Sequence, residues 1–92
     1  LEEGNMLVKL VGVYEPDTYL EKEDPDAQRR IGRTFDLDKS FIKAGRGAFL
    51  YCIYPDFGDS LCTSRVLMLL KRRTRLIIIT KNSIYVLEEV AR

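Results

Sequence analysis

Ninety-two residues, 46% hydrophobic and 32% charged, describe one small globular domain, neither disordered nor built to span a bilayer. The formal net charge of +1 is low for a nucleic-acid binder. Histidine is absent, which removes Ser-His-Asp and Cys-His nucleophile systems and histidine metal sites. These exclusions point to a non-catalytic protein with no cofactor and no metal.

The first predicted element is a buried strand over Met6 to Tyr14 (MLVKLVGVY), rich in β-branched residues and nearly apolar on both faces. Pro16 ends it. Residues 15 to 28 then carry Glu15, Asp17, Glu21, Glu23, Asp24 and Asp26 against one base, Lys22, and read as an exposed acidic loop internal to the domain. Asp24 before Pro25 fits an N-cap and first helical residue, so a helical turn is predicted from Pro25 to Ile31, stopping at Gly32.

Phe35 to Ala44 reads either way. Leu37, Phe41 and Ile42 fit a short helix ending at Gly45, and a strand is the alternative. Ala48 to Tyr54 (AFLYCIY) is predicted as a strand between two turns, GRG before and PDFGD after. Phe49, Tyr51 and Tyr54 could stack on bases, but their apolar neighbours favour core packing. Asp56-Phe57-Gly58 spells a kinase triplet by chance, and Pro55 to Gly58 reads as a turn.

Arg65 to Arg72 also reads either way. Leu and Met favour a helix that Ser60 or Thr63 could cap, while the hairpin that follows favours a strand pairing with it, the reading we prefer. Leu76 to Thr80 and Ile84 to Leu87 form a hairpin around Lys81-Asn82-Ser83, where Asn82 tolerates positive φ. Cys52 and Cys62 lack metal-ligand spacing and are expected to be reduced and packed in or near the core, as in a cytoplasmic protein. No apolar run approaches the roughly 20 residues that cross a bilayer. The chain opens on Leu1 with no signal-peptide pattern, and reads as a piece of a longer protein.

One constellation stands out. Arg65 to Lys81 holds six bases and no acid, with Lys71, Arg72, Arg73 and Arg75 at its centre. Along a continuous strand Lys71 and Arg73 would share a face and Arg72 the other, whereas a turn at 72 to 74 would crowd all four at one end of a sheet. Either arrangement makes a patch that could meet phosphates. The acidic region 15 to 26 could latch onto this patch or lie apart from it as an opposite pole.

The stretch SRVLMLLKRRTRLIIITKNSIYVLEE, residues 64 to 89, resembles the opening strands of a pleckstrin-homology-like domain. That superfamily includes the tail-homology domain of class I myosins. Arg75-Leu76-Ile77-Ile78-Ile79-Thr80, the turn Lys81-Asn82-Ser83 and Ile84-Tyr85-Val86-Leu87 carry the resemblance. Lys71 with Arg73-Thr74-Arg75 is similar to the family's phosphoinositide signature. On that resemblance Val66 to Arg72 is a first strand, and residues 1 to 63 are an extension or part of a rearranged or split barrel.

The expected fold is β-dominated α+β, a small pleckstrin-homology-like sheet or partial barrel of about five strands with one or two short helices. The expected function is binding of acidic phospholipid headgroups, or of a phosphorylated or acidic partner, through Lys71, Arg72, Arg73, Arg75 and Lys81. That function implies a cytoplasmic protein at a membrane periphery. The alternative is a protein-interaction or self-association domain that completes a sheet or core with another chain.

Overall fold

In the computed structural model residues 5–38, 42–54 and 60–90 are described. Their elements are β1 (Asn5–Tyr14), α1 (Pro25–Arg30), β2 (Thr34–Asp38), β3 (Gly47–Tyr54), β4 (Ser60–Arg72), β5 (Arg75–Thr80) and β6 (Ile84–Glu89). The six strands pair antiparallel in chain order, and β6 returns to β1, closing a barrel.

The fold is β-dominated, with two differences from the expected count. The sixth strand is β2, drawn from the ambiguous stretch after Thr34. Phe35 and Leu37 alternate with Asp36, so the ring takes them inward and leaves the carboxylate outside. Phe41, part of the helical alternative, lies outside the described residues. Among the described residues α1 is the one helix. Its start is as predicted: Asp24 caps it, accepting a hydrogen bond from the Asp26 amide, and Pro25 follows at the first helical position. Gly32, at φ 94°, turns the chain out of it.

The core is the barrel interior, where Val8, Leu10, Phe35, Leu37, Leu50, Cys52, Leu76, Ile78 and Leu87 have no more than 1% exposure. On β3 the inward set is Ala48, Leu50 and Cys52, so Phe49, Tyr51 and Tyr54 stand outside at 58%, 41% and 67% exposure. The expectation of core packing for these three rings is therefore corrected. A six-strand ring has little interior, and alternation assigns it to the smaller side chains. Cys62, opposite Phe49 on β4, is likewise exposed rather than packed; both cysteines are free.

β4 begins at Ser60 rather than Arg65. Its first half pairs with β3 and its second half with β5, with a register shift between Val66 and Met68 where it passes from one neighbour to the other. In the β5–β6 turn Asn82 is not left-handed; Arg73, in the β4–β5 turn, is, at φ 55°. The predicted turn at Pro55 to Gly58 lies outside the described residues.

Candidate functional site

The β4–β5 hairpin decides between the two arrangements of the basic cluster. Arg72 pairs with Arg75 across a connection of two residues, Arg73 and Thr74. Lys71, Arg72, Arg73 and Arg75 therefore gather at one end of the barrel, and all four are exposed. Lys71 lies opposite the inward-facing Leu76, so it rises from the barrel rim, whereas Arg72 and Arg75 belong to the outer face.

Lys81 does not join them. It sits past the far end of β5, which at about 3.3 Å per residue puts some 17 Å of strand between it and Arg75. There the Lys81 amide donates to the Arg65 carbonyl at 2.9 Å, and the Val66 amide donates to the Arg46 carbonyl at 2.8 Å. Arg46, Arg65 and Lys81 thus form a second exposed basic group. Arg46 escaped the sequence reading because nothing local reveals that the start of β3 abuts the middle of β4.

The carboxylates that pair with two of the four clustered bases come from β6, not from the acidic loop. Arg75 Nε donates to Glu88 Oε1 at 2.8 Å, and Thr74 Oγ1 donates to Glu88 Oε2 at 2.6 Å. Together these hold the Glu88 carboxyl below its ordinary range: the Thr74 hydroxyl contributes most, then the Arg75 hydrogen bond, while desolvation opposes them. Lys71 Nζ lies 3.9 Å from Glu89 Oε1 and donates to the Arg73 carbonyl at 2.5 Å. Among the described residues neither Arg72 nor Arg73 has a carboxylate within ion-pair distance. Four bases against two acids leave the turn locally positive.

The acidic loop forms the opposite pole. Tyr14 pairs with Ile84 and bridges to Glu21, so residues 15–24 gather at the β5–β6 turn. Their one base, Lys22, reaches that turn, donating to the Asn82 carbonyl at 2.7 Å and the Ser83 hydroxyl at 2.6 Å. The loop does not latch the cluster.

The outer face beside the cluster is apolar. Because Leu76, Ile78 and Thr80 point inward, Ile77 and Ile79 point outward, and register sets them in two rows, Leu70–Ile77–Val86 and Met68–Ile79–Ile84. The third row is Arg72–Arg75–Glu88. A positively charged border therefore runs directly along an aliphatic surface. Comparison of the chain with models of known families, with characterised proteins and with solved structures finds no match to any of them.

Proposed function

We propose that this domain is a non-catalytic binding module that engages an acidic, phosphate-bearing membrane surface through Lys71, Arg72, Arg73 and Arg75. One observation carries the reading: Arg72 and Arg75 are held directly opposite each other with Arg73 between them in a left-handed conformation. Like charges facing across a strand pair are destabilising, and so is a non-glycine residue at positive φ. A turn selected for stability alone has little use for three arginines so arranged, whereas guanidinium groups offer paired donors to phosphate oxygens. The aliphatic row Leu70–Ile77–Val86 next to them fits the boundary between headgroups and acyl chains. The pleckstrin-homology-like pattern of residues 64 to 89 supports the same ligand class.

Co-sedimentation with vesicles of neutral lipid, with and without phosphatidylserine or phosphoinositide, at two salt concentrations tests this. Binding should require the anionic lipid and weaken as salt rises. Replacing Lys71, Arg72, Arg73 and Arg75 with alanine should abolish it, whereas R65A/K81A should retain it. Equal binding by the quadruple variant would overturn the proposal.

The outer rows themselves favour a second reading, a protein-interaction domain. Such a partner would cover the Met68–Ile79–Ile84 face, or extend the sheet along the second half of β4, which pairs with β5 but not with β3 among the described residues. Light scattering after size exclusion tests self-association of this kind, and a strictly monomeric species at high concentration would count against it.

A further inference from the structure

The acidic end of the barrel is not fully closed. A cavity of about 50 Å³ lies there, between α1 and the ends of β1 and β6. Leu10, Val13, Ala27 and Leu61 give it an apolar floor, and Lys22 and Arg30 bring two cations to its wall. The volume exceeds the roughly 10–15 Å³ that a cavity needs to hold one water, and is small for a drug-sized ligand.

We infer that this cavity binds the carboxylate of a small amphipathic monoanion, with Arg30 and Lys22 holding the charge and the floor taking a short aliphatic tail. Arg30 Nε is fully shielded from solvent and has no hydrogen-bond partner, the one buried side-chain nitrogen or oxygen of this kind among the described residues. The rest of its guanidinium is barely engaged, with one long contact of 3.5 Å to the Asp26 carbonyl. A buried donor without an acceptor is costly, and a planar guanidinium gains two bonds by turning toward a carboxylate. Lys22 has given two of its three protons to Asn82 and Ser83, and the third remains for a ligand. Asp24, the carboxylate on the wall, is engaged as the helix cap. Among the lining residues two cations face one anion, an excess of one positive charge at the wall that suits a monoanion better than a phosphate dianion. This site is distinct from the β4–β5 turn, at the other end of β5.

Titration of the full chain with butyrate, followed by amide NMR, tests the inference against butyramide, the neutral isostere. Butyrate should give saturable shifts at Ala27, Ser83 and Tyr85, and butyramide none. Affinity should fall at least tenfold in R30M. A27L fills the cavity and keeps every charge, so it should also lose binding, which keeps the test decisive even if R30M perturbs the fold. Equal shifts with butyramide, butyrate shifts that persist in A27L, or no saturable shift at these residues would each overturn it.

Discussion

The ammonium of Lys22 donates to the hydroxyl of Ser83 at 2.6 Å and ties the acidic loop to the β5–β6 turn. Around that contact the polar groups of Thr80, Ser83, Ser64 and Asn82 bond to one another. Thr80 Oγ1 donates to the Ser83 carbonyl and accepts from the Ser83 amide and from Ser64 Oγ. Ser64 Oγ in turn accepts from the Asn82 amide. Thr80 is wholly buried and Ser83 is 4% exposed, so this network stands where an unpaired group is expensive. Lys22→Met removes a charged donor from two acceptors at once and should cost about 1–3 kcal/mol in denaturant unfolding. Hydrogen exchange should quicken at the Lys22 and Glu15 amides, which bond to Val13 and Leu20.

Arg73 gives the β4–β5 turn its conformational cost. A left-handed L-residue is disfavoured by about 1–2 kcal/mol, and glycine recovers this less its own entropy penalty of about 0.5–1 kcal/mol. Arg73→Gly should therefore stabilise the fold by roughly 0.5–1 kcal/mol, read as a rise in the urea midpoint with unchanged slope. The same variant should bind anionic vesicles more weakly. Improvement in both properties would separate the arginine from the proposed ligand.

Several elements are legible in the residues themselves. The β5–β6 hairpin follows from two short apolar runs around Lys81–Asn82, and α1 from Asp24–Pro25 at its start and Gly32 at its end. The site was legible as charge but not as geometry. Six bases from Arg65 to Lys81 look like one cluster until β5 carries Lys81 away from Arg75. Counting outward from a two-residue Lys81–Asn82 turn would have set Arg75 against Glu88, but ending the strand at Leu87 hid that pair. On β3, alternation alone permits either Phe49 and Tyr51 or Leu50 and Cys52 inside. The limited space of a six-strand ring decides it, and that appears only once β2 is counted.

Gly47 is fixed by a backbone neighbour. A Cβ there would lie 2.6 Å from the Thr63 carbonyl oxygen, which cannot retreat without disturbing the β3–β4 ladder. The next residue, Ala48, already donates its amide to Thr63 Oγ1 at 2.8 Å. Gly47→Ala should cost about 1–3 kcal/mol by overpacking. Gly12→Ala is the comparison: the atoms nearest its Cβ, from 2.7 Å, belong to the Tyr14 side chain, which can swing out. The Gly12 variant should be the milder of the two in thermal unfolding.

The lowered carboxyl of Glu88 fixes the sign of one pH effect. A group whose folded value is depressed adds stability above the ordinary carboxylate range and loses it as pH falls through the lowered value. The Thr74 hydroxyl is the largest cause, so Thr74→Val should move the Glu88 titration upward in carbon-detected NMR, further than the loss of any single more distant charge. The acid side of the stability profile should become correspondingly less steep. An unmoved Glu88 titration would mean that its hydrogen bond to Thr74 does not persist in solution.

Glu88 and Glu89 also predict a gain of function. They stand at 2.8 Å from Arg75 and 3.9 Å from Lys71, and both pairs are largely solvent-exposed, so their loss should cost the fold little. For a phosphate surface they are competitors that hold two of the four bases. Glu88→Gln with Glu89→Gln removes that competition and raises the local charge from two positive to four. Each charge near an anionic membrane is worth roughly a fivefold change in partitioning, so the double variant should bind anionic vesicles more than tenfold more tightly at low salt. Its dependence on salt should also be steeper, because more screened contacts contribute. Unchanged vesicle binding would place the ligand of this module away from the β4–β5 turn.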